Sequence, residues 1–306
     1  MTTAKTDADI AISARPMTIG MVGQGRMGAG MTKRLRTFGH EIVAYDRNPA
    51  VSDVASLKEL VDRLPSPKVV WLMVPSGAIT QSTVEEVAPL LSPGDIVIDG
   101  GNSYVKDTVR RGKELTEQGI NYLDVGTSGG IWGFENGFCL MAGGDREVFD
   151  HVEPILESLA PQDGYAYVGG PGAGHYSKMV HNGIEYGMLQ AYAEGFDLLQ
   201  AAEEYDFDLH QLSKLWNHSS VVRSWLLELA ENAFAADPKL ATLEGYVDDS
   251  GEGRWTVLEA VERGVNVSVL AQALFSRFTS READPFSMRV IAALRNQFGG
   301  HAVKHQ

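Results

Sequence analysis

Residues 17–28 read MTIGMVGQGRMG, a short apolar run that leads directly into the spacing G-x-G-x-x-G. The run predicts a buried strand, and its glycines permit a tight turn, close approach of a pyrophosphate to the backbone, and close packing of a helix on the strand. The N-terminus of that helix supplies unpaired N–H groups and the positive end of a dipole. The motif therefore predicts a dinucleotide site made by Gly23, Gln24, Gly25, Arg26, Met27 and Gly28.

The segments after the motif supply the context that such a site requires. A helix predicted from Met27 to Phe38 and a strand from Glu41 to Tyr45 lead to Asp46, 23 positions after Gly23. This is close to the spacing at which a carboxylate binds the adenosine ribose diol. A carboxylate there repels a 2′-phosphate and favours NAD over NADP, whereas the neighbouring Arg47 keeps NADP open. Asp46 could instead only cap a turn.

Strand and helix patterns alternate over residues 16–170. Continuous apolar runs are typical of parallel strands that are covered on both faces. Further strands are predicted at 68–74, 95–99, 120–125, within 132–145 and at 164–168, with helices at 79–91, 104–118 and 146–159. We therefore predict an α/β Rossmann-type domain with a doubly wound, mostly parallel sheet.

Three loops follow predicted strands, at the edge where doubly wound sheets bind ligands. Val74 ends one strand and is expected at the cofactor. Asn102, in the loop GGNS at 100–103, can donate to and accept from a substrate, and it could also cap the next helix. The loop GTSGG at 126–130 suits an anion, or it is an ordinary loop; its candidate residues are Ser128, Gly129 and Gly130.

From about Pro171 the pattern changes to helices alone, so we predict an all-α domain over residues 171–306. Its first helix, expected from His175 to about Tyr205, opens in the stretch GHYSKMVHNGIEYG at 174–187. Four polar side chains of this stretch share one face because they stand at i, i+3, i+4 and i+7: Lys178, His181, Asn182 and Glu185. The row could form one wall of a site, or a surface network of small energetic value.

The composition is that of a globular protein with an acidic excess. With 26 Lys and Arg against 40 Asp and Glu, the formal net charge is −14 at pH 7, which argues against general binding to nucleic acid or anionic membranes. No stretch approaches a membrane span, and we expect residues 1–15 to be a flexible tail. Cys139 is expected in the core and fits a reducing, cytoplasmic compartment. No cluster with ligand spacing predicts a metal.

Together these segments resemble the 6-phosphogluconate dehydrogenase family, within the wider group of β-hydroxyacid dehydrogenases. The resemblance covers nearly the whole chain after residue 15. It rests on GQGRMG at 23–28, DGGNS at 99–103, SGG at 128–130, GHYSKMVHNGIEYG at 174–187 and RNQFGGH at 295–301.

The resemblance implies an NAD-dependent, decarboxylating enzyme of the pentose phosphate pathway and of gluconate metabolism. It makes Lys178 the general base and Glu185 the general acid, with Asn182 beside them. The sugar acid would be held by Asn102, Ser128, Gly129, Gly130, His181 and Asn182, and its phosphate end by Tyr186, Arg277, Arg295 and His301. In the family the C-terminal tail enters the active site of a neighbouring subunit, which implies a homodimer or homotetramer; a charged helix end is the alternative for this tail.

The chain departs from the long form of the family and is like its short, NAD-preferring branch. Near a G-x-G-K-W segment the long form carries a Lys and a Thr for phosphate, whereas this chain has Ser250 and Glu252. Arg254 could compensate for the lost cation.

The residue types suit the implied chemistry. An ordinary lysine has a pKa near 10.4, and burial beside a positive nicotinamide ring would lower it, so that Lys178 could take the hydroxyl proton as hydride leaves. The β-keto acid would then lose CO2, and Glu185 would protonate the enediol on carbon. Two alternatives stay open: a β-hydroxyacid dehydrogenase acting on a small unphosphorylated acid without decarboxylation, and a dinucleotide-sensing module without turnover.

Overall fold

The structure is a computed structural model that describes residues 15–299 and 302–304. The predicted tail lies outside these residues except for Arg15, and the predicted substrate contact at His301 lies outside them too. The chain divides into two compact units inside one long helix, between His181 and Asn182. The domain boundary near Pro171 stays a prediction.

The first unit contains a seven-stranded sheet in the order β2-β1-β3-β4-β5-β6-β7. The strands are β1 (Thr18–Val22), β2 (Glu41–Tyr45), β3 (Val69–Leu72), β4 (Ile96–Asp99), β5 (Asn121–Ser128), β6 (Cys139–Gly144) and β7 (Tyr165–Gly169). Strands β1 to β5 are parallel, β6 runs antiparallel to β5, and β7 is parallel to β6. The prediction of a doubly wound, mostly parallel sheet is confirmed.

Helices of the first unit follow the strands and cover both faces of the sheet. They are α1 (Arg26–Thr37), α2 (Leu57–Asp62), α3 (Ala78–Val87), α4 (Val105–Thr116), α5 (Gly133–Asn136), α6 (Arg146–Leu159) and the start of α7 (Ala173–Ala201). One core lies under α1 and α6, with Met31 and Leu156 fully buried, and the other includes Leu60 and Val87 on the opposite face. Each such side chain contributes roughly 1.5–3 kcal/mol by leaving water.

Two expectations for this unit were wrong or incomplete. Cys139 is exposed, because strand residues alternate between faces and its neighbours Phe138 and Leu140 take the inward positions. Helix α2 was not predicted from the sequence. It has only six residues and begins where Ser56 Oγ accepts a hydrogen bond from the Glu59 backbone N–H.

In the second unit the described residues form helices and no strands, as predicted. After α7 the helices are α8 (Leu209–Ser219), α9 (Trp225–Ala236), α10 (Glu252–Arg263), α11 (Ser268–Thr279) and α12 (Phe286–Gly299). Helix α7 ends at Ala201, earlier than the predicted Tyr205, because residues 203–205 tighten into a 3-10 turn. Across the residues that the structure describes, no helix is long and apolar enough to cross a membrane.

Candidate active site

The glycine turn after β1 is shaped to admit a ligand at the start of α1. Gly23 has a φ of +96°, and a methyl group there would lie 2.4 Å from the Met73 carbonyl oxygen. A methyl group at Gly28 would lie 2.0 Å from the Gly23 carbonyl oxygen, so both positions require glycine. At Gly25 a methyl group would meet nothing within 4 Å. Because Gly25 also lacks a capping side chain, the first N–H groups of α1 are suited to a pyrophosphate.

Asp46 links the end of β2 to this turn. Its Oδ2 accepts a hydrogen bond of 2.7 Å from the Gln24 backbone N–H, and its Oδ1 accepts one of 2.8 Å from the Asn48 N–H. The turn-capping interpretation is therefore part of what Asp46 does. The carboxylate is only half-buried and borders the cleft described next, so it can also meet a ribose diol.

A cleft of about 280 Å³ opens at the carboxyl ends of β1, β2 and β3. It is lined by Val22, Gly23, Gly25, Tyr45, Asp46, Arg47, Leu57, Met73, Val74, Pro75, Ile79, Thr83 and Glu86. Open backbone donors, an apolar floor and a carboxylate fit the adenosine half of a dinucleotide. The sequence interpretation had missed Ile79, Thr83 and Glu86, although their i, i+4, i+7 spacing on α3 marks one helix face.

The loop after β4 brings Asn102 to the same edge as Val74. A methyl group at Gly101 would lie 2.9 Å from the Val74 carbonyl oxygen, so the loops after β3 and β4 are in close contact. Asn102 is exposed. Helix α4 begins after Tyr104, without a side-chain cap, so Asn102 does not cap it.

The loop after β5 meets helix α7 at two predicted substrate residues. Ser128 Oγ lies 3.5 Å from His181 Nε2. Gly129 and Gly130 have φ values of +127° and +55°, in the region that favours glycine. A methyl group at Gly130 would meet nothing within 4 Å, so its backbone is open to a ligand.

The start of α7 is fixed to the sheet by a buried carboxylate. Asp124 on β5 accepts hydrogen bonds from the Gly172 N–H at 2.7 Å and from the His175 N–H at 2.8 Å. A negative group at a helix N-terminus also interacts favourably with the positive end of the helix dipole. Asp124 therefore sets where the first turns of α7 lie against β5.

Lys178 follows His175 by three residues on α7, and its side chain packs against Gly126 of β5. A methyl group at Gly126 would lie 2.5 Å from Cβ of Lys178 and 2.7 Å from the Gly174 carbonyl oxygen. Lys178 is 7% exposed and Asn182 8%, while His181 and Glu185 are partly buried. The polar row is thus not a solvated helix face.

Tyr186 is the centre of a second group of predicted residues, within the helical unit. Its hydroxyl accepts a hydrogen bond of 3.1 Å from the Ser250 backbone N–H and lies 3.4 Å from Ser250 Oγ. The Arg277 guanidinium stacks 3.4 Å above the Tyr186 ring and donates to the Asp248 carbonyl oxygen. The structure brings Tyr186 and Arg277 together, whereas Arg295 lies exposed on α12.

The cation expected to compensate near this group is already engaged. Arg254 binds both carboxylate oxygens of Asp249, at 2.6 and 3.0 Å, and Arg281 binds the same carboxylate at 2.5 Å. Hydrogen bonds from Arg254 and then Arg281 lower the pKa of Asp249 to about 2. Arg254 is therefore held in an ion pair and is not a ready phosphate ligand.

Glu252 is the other unusual residue of this segment. It is buried at the start of α10, and its Oε2 accepts a hydrogen bond of 2.5 Å from Ser250 Oγ. Within the described part of the chain its Oε1 has no hydrogen-bond partner. A buried carboxylate thus lies beside the serine that contacts Tyr186. Among residues 15–299 and 302–304, no group of three His, Cys, Asp or Glu could hold a metal ion.

Comparisons with known proteins agree with this geometry. Residues 18–169 match the NAD binding domain of 6-phosphogluconate dehydrogenase, and residues 174–302 match the C-terminal domain of 6-phosphogluconate dehydrogenase. An NAD(+)-dependent, decarboxylating 6-phosphogluconate dehydrogenase of Haloferax volcanii is 44% identical over 298 residues, which are 94% of this chain and 98% of the relative.

Solved structures show the same fold. The Plasmodium falciparum 6-phosphogluconate dehydrogenase matches with a TM-score of 0.74 and 27% identity, over 94% of this chain and 66% of that longer chain. The Mycobacterium tuberculosis 3-hydroxyisobutyrate dehydrogenase matches with a TM-score of 0.69 and 23% identity, over 92% of this chain and 100% of that one, a likeness of fold alone. Both domain families match, and the Haloferax volcanii relative matches over nearly its whole length. The chain therefore belongs to the 6-phosphogluconate dehydrogenase family.

Proposed function

We propose that this protein oxidises and decarboxylates 6-phosphogluconate to ribulose 5-phosphate and CO2, with NAD as the preferred hydride acceptor. The observation that carries the proposal is the placement of Lys178, which is buried against Gly126 on a helix held by Asp124. The name of the Haloferax volcanii relative supports both the substrate and the cofactor.

The first unit would bind the cofactor. The turn at 23–28 would hold the pyrophosphate on the N-terminus of α1, and Asp46 would accept hydrogen bonds from the adenosine ribose. Glu86 lines the same cleft as Asp46, so two carboxylates disfavour the additional phosphate of NADP. Bound NAD supplies the hydride acceptor.

Lys178 would hold and move the proton at the reacting carbon. Its ammonium must lose a proton before it can accept the substrate hydroxyl proton. Once protonated, Lys178 can polarise the new carbonyl and so assist loss of CO2. Ser128 and His181, which are within 3.5 Å of each other, would orient the carboxylate and hydroxyls.

Glu185 would return a proton to carbon after decarboxylation. It stands seven residues after Lys178 on α7, roughly 10 Å along the axis at 1.5 Å per residue, and on the same helix face. Because the carbon that is oxidised and the carbon that is protonated are neighbours, the long side chains of Lys178 and Glu185 would converge on the sugar acid from these two positions. Asn182, one turn after Lys178, would donate to and accept from the substrate between them.

We further propose that the active protein is a homo-oligomer, a dimer or a tetramer, whose C-terminal residues contribute to phosphate binding. Arg295 and His301 match positions that contact the substrate in the family. Because Arg254 is engaged by Asp249, the phosphate end otherwise depends on Tyr186 and Arg277, and a cation from the tail would supply the missing charge.

One observation favours a second candidate, a dehydrogenase for a small unphosphorylated β-hydroxyacid. The buried Glu252 lies next to Ser250, where its negative charge would oppose a phosphate. Purified protein with NAD should show a kcat/KM for 6-phosphogluconate at least 100 times that for 3-hydroxyisobutyrate, and Lys178→Met should abolish turnover. The reverse preference would establish the second candidate, and binding of NAD without turnover of either acid would favour a role in sensing. Full activity of Lys178→Met would contradict the role of Lys178 as the base.

A further inference from the structure

A buried polar network lies beneath the two loops that carry Val74 and Asn102. Asp99, the last residue of β4, is 1% exposed. Its Oδ1 accepts a hydrogen bond of 3.2 Å from the Gly101 N–H, and its Oδ2 accepts one of 2.7 Å from Ser103 Oγ. Asn102 stands between these two donors. The loop is therefore fixed on both sides of Asn102, its residue that is expected to contact the substrate.

Tyr122 on β5 completes the hold on Asp99. Its hydroxyl donates a hydrogen bond of 2.9 Å to Asp99 Oδ2. Burial and the nearby Asp99 carboxylate raise the pKa of Tyr122 well above its usual value, so the hydroxyl stays protonated and remains a donor at every working pH.

Arg111 on α4 connects the Asp99 carboxylate to the loop of residues 74–77, here called the cofactor loop. Its side chain is 1% exposed, and its Nη1 lies 3.7 Å from Asp99 Oδ2. Its Nη2 donates to the Gly77 carbonyl oxygen at 3.2 Å and its Nε donates to Gln81 Oε1 at 2.9 Å. Gly77 ends the loop that begins at Val74 and starts α3. One planar guanidinium therefore reaches both loops.

Stability alone is a poor explanation for such a network. Removing a guanidinium and a carboxylate from water is costly, and apolar residues of similar volume often stabilise a fold as well. A guanidinium, however, fixes several donor directions at once, which lysine cannot do. The loops that it joins also touch directly, because a methyl group at Gly101 would lie 2.9 Å from the Val74 carbonyl oxygen.

We propose that Arg111, Asp99, Tyr122 and Ser103, the Arg111 network, are positioning residues that set the distance between the cofactor loop and Asn102. This inference rests on the proposed function and on the expectations from the sequence that Val74 lies at the cofactor and that Asn102 contacts the sugar acid. None of the four side chains needs to touch either ligand. Their effect is to hold the loop that binds the cofactor and the loop that binds the substrate at a fixed separation.

The first test uses variants that act on the Asn102 loop only. Tyr122→Phe keeps the ring volume and removes one of the two side-chain hydroxyls that donate to Asp99 Oδ2, and Ser103→Ala removes the other. Each should lower kcat/KM for 6-phosphogluconate by about 10- to 100-fold, because small misplacement of a reacting group is costly. The Kd of NADH, measured by its fluorescence, should stay within twofold of the wild-type value.

Arg111→Lys tests the link between the loops. It keeps the charge but cannot bond Gly77 and Gln81 together while facing Asp99, so it should lower kcat/KM and also raise the Kd of NADH at least threefold. Arg146→Lys is the matched control, since Arg146 forms an exposed pair with Asp150 on α6; both values should stay within twofold. If Arg111→Lys does not fold, Tyr122→Phe decides the question.

The proposal is overturned if Tyr122→Phe and Ser103→Ala fold and keep kcat/KM within twofold, even with a lower Tm. An equal loss of NADH affinity in these two variants would also overturn it, because the defect would then be general. Failure of the proposed function is distinguishable. Wild-type protein would then turn over no 6-phosphogluconate, while the effect of Arg111→Lys on the Kd of NADH would still decide whether the cofactor loop depends on Arg111.

Discussion

Gly126 is the residue on which the position of Lys178 depends most directly. A methyl group at Gly126 would lie 2.5 Å from Cβ of Lys178, closer than non-bonded carbon atoms approach each other in folded proteins. The Gly174 carbonyl oxygen, 2.7 Å away, belongs to the backbone and cannot rotate away. We predict that Gly126→Ala displaces the start of α7 and lowers kcat by about 100-fold or more, while the Kd of NADH changes little.

A glycine on the same helix provides the control for this substitution. Gly195 is exposed near the end of α7, and a methyl group there would meet nothing within 4 Å. Gly195→Ala should keep kcat and stabilise the protein by about 0.5–1 kcal/mol, because alanine loses less backbone entropy in a helix. Wild-type kcat in Gly126→Ala would show that Lys178 is not placed by this contact.

We predict that Asp46 is the residue that determines the choice between NAD and NADP. Replacing its carboxylate by a hydroxyl in Asp46→Ser should lower kcat/KM for NAD and raise it for NADP, since Arg47 lines the same cleft and can then meet the 2′-phosphate. The ratio of the two kcat/KM values should shift by at least tenfold toward NADP in steady-state assays.

Asp53 supplies the control because it also lies beside β2 but serves the backbone. It accepts a hydrogen bond from the Ala44 N–H and pairs with Arg36. Asp53→Asn should lower Tm and leave the NAD to NADP ratio unchanged. An unchanged ratio in Asp46→Ser would remove the basis for the NAD preference.

The loop before α10 is held by the carboxylate of Asp249, which binds Arg254 and Arg281. Arg254 and Arg281 hold the pKa of Asp249 at about 2, below its usual value of 3.8. Because the pKa is lowered on folding, the contribution to stability is complete above about pH 4 and is lost as pH falls through about 2. Asp249→Asn should therefore lower Tm by several degrees at pH 7, and the difference from wild type should shrink steeply as pH falls from 4 to 2.

An exposed pair gives the comparison for this pH dependence. Lys58 and Asp62 form an i,i+4 pair on α2 at 2.5 Å, with both side chains more than half exposed, of a kind worth a few tenths of a kcal/mol. Asp62→Asn should change Tm by a degree or less at either pH. A difference between wild type and Asp249→Asn that is as large at pH 2 as at pH 7 would contradict the assigned pKa.

Much of the element order was predictable from the sequence because periodicity reports burial. Strand β2 and helix α6 were predicted with the bounds that the structure shows, Glu41–Tyr45 and Arg146–Leu159. Helix α2 has too few residues for a periodic signal, and Cys139 was misplaced because a run of apolar residues does not show which strand residues face outward.

The site was predictable where local spacing brings residues together and not where distant segments meet. The polar row on α7 and the glycine turn are local patterns. Some contacts join residues that are far apart in the sequence, as Asp124 with the start of α7 and Arg111 with Gly77. The ion pair of Arg254 with Asp249 depends on side-chain directions that spacing does not give. Only the folded chain shows that Arg254 is engaged by Asp249.

The helices of the second unit expose large apolar side chains. Leu198, Val261, Val269 and Phe286 are 73%, 74%, 68% and 71% exposed. Exposed apolar surface of this kind marks protein interfaces, which supports the proposed homo-oligomer. Sedimentation equilibrium should give a mass of two or four chains at micromolar concentration; a monomer that is fully active would contradict the oligomer.

Removing the tail tests whether it contributes to phosphate binding. A chain that ends at Leu294 should have a KM for 6-phosphogluconate raised at least tenfold and a KM for NAD within twofold of wild type, since only the phosphate loses a cation. A chain that ends at Lys304 is the control and should behave as wild type. Equal effects on both KM values would refute the assignment.

The whole-molecule claim is that hydride transfer and decarboxylation occur on one substrate. The most direct measurement uses 6-phosphogluconate labelled with ¹³C at carbon 1 and follows NADH and labelled CO2 in the same reaction. We predict one labelled CO2 for each NADH, with NADP supporting the same stoichiometry at a lower rate. NADH formed without labelled CO2 would contradict the account and identify a dehydrogenase that does not decarboxylate.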